Sequence, residues 1–121
     1  TRNGLVASDL VIIPTQAHYL AVKGLHKALE LIDDVKQVNP SLELIGILPT
    51  MLQHGTNVGE LFMEQLQSDY ADKVLPQAIP LTIKVTESQL VGQPLLDYAA
   101  EHKASEAYTD LAKHIITRYG A

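Results

Sequence analysis

Three apolar runs of this chain stop in nearly the same way: Ile12-Ile13-Pro14-Thr15, Ile47-Leu48-Pro49-Thr50 and Ile79-Pro80-Leu81-Thr82. Each run is β-branched or aliphatic, and the proline that follows has no N–H to donate to a sheet ladder, so a strand is expected to end at each. A small hydroxyl residue stands just past each ending. In an open parallel α/β sheet, ligands bind beyond the carboxyl ends of the strands, so three such rims in succession predict one wall of a binding crevice.

The segments between the runs carry helical periodicity. Val22, Leu25, Leu29, Ile32 and Val35 recur at spacings of three and four, which places them on one face of a helix over residues 19–38. Asn39-Pro40 closes it, Asn by tolerating a left-handed turn and Pro by being unable to continue the helix. After the strand at 42–48, in which Gly46 marks a place where a side chain would crowd a neighbour, a second helix is expected from Asn57. Its side chain would cap the first turn while Glu60 reaches back, with Val58, Leu61, Phe62 and Leu66 as the apolar stripe. Residues 73–79 read as a weaker third strand, and Pro76 within it points to an edge position or a bend. Residues 82–98 contain Gly92-Gln93-Pro94 and read as a long loop with one turn of helix. A last helix carries Ala104, Ala107, Tyr108, Leu111, Ala112, Ile115 and Tyr119 on one face and closes at Gly120.

This alternation predicts an α/β chain: a partial doubly wound parallel sheet of about three strands with flanking helices, joined by right-handed crossovers. With 121 residues and 46% hydrophobic content, residues 1–121 are expected to form one domain. There is no cysteine, so thiolate metal sites and disulfides are excluded and a reducing cytoplasm is the simplest setting. The longest apolar runs are far short of the roughly 20 residues that cross a bilayer, so no membrane association is expected. A net charge of −5 is the wrong sign for a domain that holds DNA through overall phosphate neutralisation. No two of the five histidines, His18, His26, His54, His102 and His114, have the i, i+4 spacing that brings two ligands to one helical face, and no metal site is assigned.

Residues 3–31, NGLVASDLVIIPTQAHYLAVKGLHKALEL, resemble a segment of the ParA family of chromosome and plasmid partition ATPases, where it follows the second acidic nucleotide-binding motif. The resemblance continues through residues 39–51 (NPSLELIGILPTM), Thr56-Asn57, residues 79–98 (IPLTIKVTESQLVGQPLLDY) and the segment EAYTDLAKHI at 106–115. It implies the carboxyl-terminal half of a deviant P-loop NTPase, a P-loop NTPase-like half domain. It also implies ATP and Mg as cofactors of the full-length protein, a dimer, non-specific DNA and a centromere-binding ParB-like partner. The phosphate loop, the switch aspartate and the Mg-coordinating strand of the family lie upstream of the position matching Thr1. No G-x-x-x-x-G-K-[ST] motif occurs in the chain, so these 121 residues alone are expected neither to hold ATP tightly nor to hydrolyse it.

Carried over by position, the resemblance makes Thr50, Met51, Pro80, Leu81 and Thr82 the candidates for the adenine side of a nucleotide site. The competing reading is that the prolines only end strands and the threonines satisfy nearby backbone groups. Family members have Arg-Asn where this chain has Leu81-Thr82, and a hydroxyl offers less to a base than an amide does. Lys84 matches a basic position linked to DNA contact, with acidic Glu87 after it; against that stands a solvated ion pair. Gly55 stands where the family has Arg, with His54 as a partial substitute only when protonated. Gln16 and Tyr19, flanking His18, match positions facing the nucleotide or the dimer partner. Two rivals stay open: a free-standing, non-enzymatic interaction module, and a related deviant P-loop ATPase with another cargo. Without its amino-terminal strands the sheet would carry an unpaired edge, which predicts a homo-oligomer.

Overall fold

The computed structural model describes residues 1–17, 19–53 and 55–120, and the side chains of Tyr19 and Leu20 are not among what it describes. The elements are α1 (Arg2–Val6), β1 (Leu10–Gln16), α2 (Tyr19–Lys36), β2 (Glu43–Thr50), α3 (Asn57–Tyr70), α4 (Lys84–Leu90), α5 (Leu95–Tyr98) and α6 (Lys103–Tyr119). β1 and β2 pair in parallel, from Leu10 opposite Glu43 to Gln16 opposite Thr50. This is the α/β architecture expected from the alternation. No helix among the described residues is long and apolar enough to cross a membrane.

The third apolar run docks on the far edge of β2 without becoming a continuous strand. Ile47 N–H donates to the Lys73 carbonyl and Leu75 N–H to that of Ile47; further on, Ile79 N–H reaches Pro49 and Leu81 N–H reaches Leu52. The two stretches form isolated parallel bridges, Val74 with Ile47 and Pro80 with Leu52. Between them Pro76 cannot donate and the ladder opens, the bend its position predicts.

Pro14 and Pro49 lie inside their strands, contrary to the expectation that each ends one. The alternation explains why both are tolerated. Ala17 N–H donates to the Thr50 carbonyl and Glu43 N–H to that of Asp9, so the odd-numbered residues of β1 bond to β2 and Pro14 turns its nitrogen to the opposite, unpaired edge. Pro49 turns its nitrogen toward the gap that Pro76 opens.

A bulge in β2 decides which side chains reach which layer. Val11 pairs with Leu44 but Ile12 pairs with Gly46, so Ile45 is the extra residue. As a result Ile47 joins Leu25 of α2 and Phe62 and Leu66 of α3 on one face. Ile45 and Leu48 join Leu75, Ile79 and Leu111 of α6 on the other. Helices therefore cover both faces. Gly46 is obligatory here: a Cβ would lie 2.7 Å from Leu75 Cγ and 2.9 Å from the Lys73 carbonyl oxygen.

Asn39 ends α2 in a different manner from the one expected. It has no positive φ; its side-chain amide instead donates to the carbonyls of Leu5, Val6 and Ser8 at 3.3, 3.1 and 2.8 Å, which satisfies the open end of α1. This pins α1 beside the Ile32, Val35 and Leu42 cluster. The cap of α3 is also one residue earlier than expected. Thr56, not Asn57, accepts from Gly59 N–H at 3.1 Å, so the reciprocal bond assigned to Glu60 falls out of register. Residues 82–98, read as a loop, contain α4 and α5.

Candidate site at the carboxyl ends of the strands

The two strands and the 79–81 segment end side by side. β2 leaves the sheet through Met51, whose φ of 53° is the one positive value of a non-glycine among the described residues. A left-handed turn in a residue with a Cβ is disfavoured by about 1–2 kcal/mol, so the packing around it holds it there. The turn carries the Met51 side chain outward, 52% exposed, beside Leu81 at 49%. Leu52 then turns back into the core and accepts from Leu81 N–H at 2.9 Å, which sets Leu81 against the strand end.

These residues border a groove of about 350 Å³ lined by Gln16, Ala17, Met51, Gln53, Thr56, Val58, Gly59 and Leu81. The first and second strand ends contribute Gln16 and Met51, the third run contributes Leu81, and the start of α3 closes the far side. Gly59 is buried under the Gln53 carbonyl, where a Cβ would collide with that oxygen, so the first turn of α3 packs against the loop that precedes it. Thr56 Oγ1 donates to the Gln53 carbonyl and accepts from Gly59 N–H, which spends most of its capacity on holding this corner.

Of the five sequence-derived candidates, Met51 and Leu81 line the groove. Thr50 is half-buried behind it, with its carbonyl taken by Ala17 N–H, and Pro80 is bridged to Leu52. Thr82 faces elsewhere. Its Oγ1 accepts from Lys84 N–H at 3.1 Å and lies 3.3 Å from His102 Nε2. His102 Nδ1 accepts from Ala104 N–H at 3.0 Å as the N-cap of α6. A neutral ring that accepts at Nδ1 carries its proton on Nε2, so His102 donates to Thr82 and joins the rim to α6.

Lys84 stands apart from the groove. Its Nζ is 3.2 Å from Glu87 Oε2, which also accepts from Tyr98 Oη at 3.0 Å. The Lys84 ammonium, and then the Tyr98 hydroxyl, hold the Glu87 carboxyl below its usual range, and the same carboxylate pushes the Tyr98 phenol up. Gln16 lies in the groove; His18, His54 and the Tyr19 side chain fall outside the described residues. No group of three or more His, Asp or Glu converges anywhere among the described residues. The donor set at the strand ends is apolar carbon and side-chain amide. Those side chains suit the flat face of a ring, and they include no carboxylate to hold a divalent cation.

Sequence reasoning missed Ala17, Gln53, Thr56, Val58 and Gly59 as lining. Thr56 was within reach of the N-cap rule, since Thr is also a favoured cap residue, though ranked below Asn. Ala17 and Gly59 carry no chemical signature and enter only through how closely the chain folds.

Comparison with known proteins shows what the chain resembles. The family described as an AAA domain matches residues 1–44. The sporulation initiation inhibitor protein Soj of Bacillus subtilis is 37% identical over 116 residues, 95% of this chain and 46% of Soj. The chromosome partitioning protein ParA of Caulobacter vibrioides is 32% identical over 119 residues, 98% of this chain and 45% of ParA. This chain is similar to ParA and Soj proteins over nearly its whole length. It spans about half the length of the relatives it matches. Among solved structures, cobyrinic acid a,c-diamide synthase of Mycobacterium smegmatis superposes with a TM-score of 0.75 at 29% identity, over 98% of this chain and 42% of the synthase, and it was crystallised with ADP and magnesium. The fold of this chain is thus part of a P-loop NTPase-type α/β fold.

Proposed function

We propose that this chain is the base-side portion of a ParA-like ATPase for chromosome or plasmid partitioning, acting in the cytoplasm. The observation that carries the proposal is the match to ParA and Soj over at least 95% of the chain. The groove where three apolar segments end supports it, because that is where open α/β sheets take ligands. In this reading Met51 and Leu81 contact the base, while Thr50 and Pro80 set the backbone behind them. Thr82 acts at one remove, through its bonds to Lys84 N–H and His102. ATP would supply the phosphoryl group, and Mg would neutralise its charge during transfer. The phosphate- and metal-binding groups would come from residues outside these 121.

DNA contact through Lys84 is the weaker part of the proposal. The ammonium is engaged by Glu87, and an incoming phosphate must compete with that carboxylate against a net charge of −5. A centromere-binding ParB-like protein as partner rests on kinship alone. One observation favours the second reading, a module for protein interaction: Ile83, Leu90 and Val91 around α4 are 71%, 82% and 57% exposed.

The test is nucleotide binding and turnover by these 121 residues beside the full-length gene product. Mg-dependent ATP binding and hydrolysis are expected from the full-length protein only. Steady-state ATP turnover by the 121 residues alone, or none by the full-length protein, overturns the proposal.

A further inference from the structure

We propose that His102 is the latch of a pH-sensitive junction: its neutral ring ties the start of α6 to the start of α4, and protonation of the ring releases the tie. The latch belongs to the fold and is independent of what the groove binds.

His102 is the N-cap of α6, and its Nδ1 accepts from Ala104 N–H at 3.0 Å. That atom accepts only while it carries no proton, so the neutral ring keeps its proton on Nε2. Nε2 lies 3.3 Å from Thr82 Oγ1, and the same oxygen accepts from Lys84 N–H at 3.1 Å, in the first turn of α4. Ile83, at the N-cap position of α4, offers no side-chain cap of its own. One imidazole therefore serves the open N–H groups of two helix starts, one directly and one through a hydroxyl.

Charging the ring puts a proton on Nδ1 opposite Ala104 N–H, donor against donor. It also sets a positive charge at the end of a 17-residue helix where the backbone dipoles favour a negative one. The ring is rigid, so turning Nδ1 away from Ala104 carries Nε2 off Thr82. Two neighbouring ties do not pass through the ring: Ser105 Oγ donates to the Ala99 carbonyl at 2.6 Å, and His102 N–H donates to the same carbonyl at 3.1 Å. Opening is thus confined to residues 82–84 and the first turn of α6.

The titratable groups on the elements that meet here are Lys84 and Glu87 of α4, Asp97 and Tyr98 of α5, and Glu101, Lys103 and Glu106 beside His102. Among the described residues no carboxylate pairs with the His102 ring, and Glu87 is engaged by Lys84 and Tyr98. Histidine is the side chain whose ordinary charge change falls between about pH 5 and 8. Lys84, then Tyr98, hold Glu87 below its usual range, and Glu87 raises Tyr98, so this pair titrates on either side of that window. His26 is on α2 beside Glu30, and His114 lies twelve positions further along α6, about 18 Å at 1.5 Å per residue.

The test is nitrogen NMR of the 121-residue chain, with the His102 ring tautomer and the backbone amides followed from about pH 8 down to 5. The expected ring at the upper end is neutral with its proton on Nε2. As the pH falls, the Ala104 and Lys84 amides should shift with the same midpoint as the ring, while that of Leu111, two turns into α6, stays still. His102→Asn keeps a favoured cap but carries no titrating ring, so the variant should retain α6 and lose the pH response at both amides. Four results each overturn the latch: a neutral ring protonated on Nδ1, a ring still neutral at about pH 5, a Lys84 amide that does not move as the ring charges, or a pH response that survives in His102→Asn.

Discussion

At the scale of single residues, Met51 concentrates the tension between stability and site. Its positive φ costs the fold about 1–2 kcal/mol relative to an ordinary turn, and the return is an apolar side chain held out over the strand ends. Met51→Gly removes the steric cost but adds unfolded-state entropy of about 0.5–1 kcal/mol. The balance is an expected stabilisation of between about 0 and 1.5 kcal/mol, read by urea denaturation. A destabilised variant would mean that the Met51 side chain supports the fold more than its exposure indicates. This residue also marks the limit of sequence reading. Position identified Met51 as part of the rim, but nothing in the string I-L-P-T-M announces a left-handed turn at a methionine, because the turn is imposed by Leu52 bonding to Ile79 and Leu81 on the neighbouring segment.

At the scale of elements, the long helices and both strands were legible because periodicity and burial agree. Leu25, Ile32 and Val35 fall on one face of α2, and all three are buried. The failures occur where tertiary contacts override the local signal. Residues 84–98 have turn-forming Gly92 and Pro94, yet α4 and α5 form on either side and are linked by Glu87, which accepts from Tyr98 and pairs with Lys84. That linkage titrates. The Glu87 pKa is held below 4.5, mainly by Lys84 and next by Tyr98, so its contribution is complete above 4.5 and is lost as the pH falls through the lower folded value. The Tyr98 pKa is raised above 10.0 by Glu87, so its contribution is complete below 10.0 and is lost as the pH rises through the higher folded value. Both groups meet solvent, so the effect is local, and chemical shifts across α4 and α5 are the measurement. Tyr98→Phe should move the Glu87 titration part of the way back toward 4.5, with Lys84 retaining the rest. An unchanged Glu87 titration in this variant would show that the hydroxyl does not hold the carboxylate.

At the scale of the whole molecule, the chain exposes more surface than its mass predicts. A compact monomer of 13.2 kDa exposes about 6,400 Å² by the usual scaling, and this one exposes 7,840 Å². The excess, about 1,400 Å², is more than the roughly 800 Å² that each partner contributes to a standard specific interface. Part of it is the free edge of β1, where Val11, Ile12 and Ile13 are only half-buried and no neighbour is paired among the described residues. A strand so apolar on both faces is built for the interior of a larger sheet, consistent with relatives about twice this length. Left open, such an edge recruits another chain. Pro14 blunts half of it by presenting no N–H outward, which leaves residues 10–13 as the stretch able to pair. The 121-residue chain is therefore expected to self-associate, with its sedimentation coefficient rising with concentration and Leu10→Lys shifting it back toward monomer by placing a charge at the start of that stretch. A single monomeric species at high concentration would mean that α2 and Pro14 already protect the edge. In that case the missing surface would have to be sought instead around α4, where Ile83, Leu90 and Val91 remain uncovered.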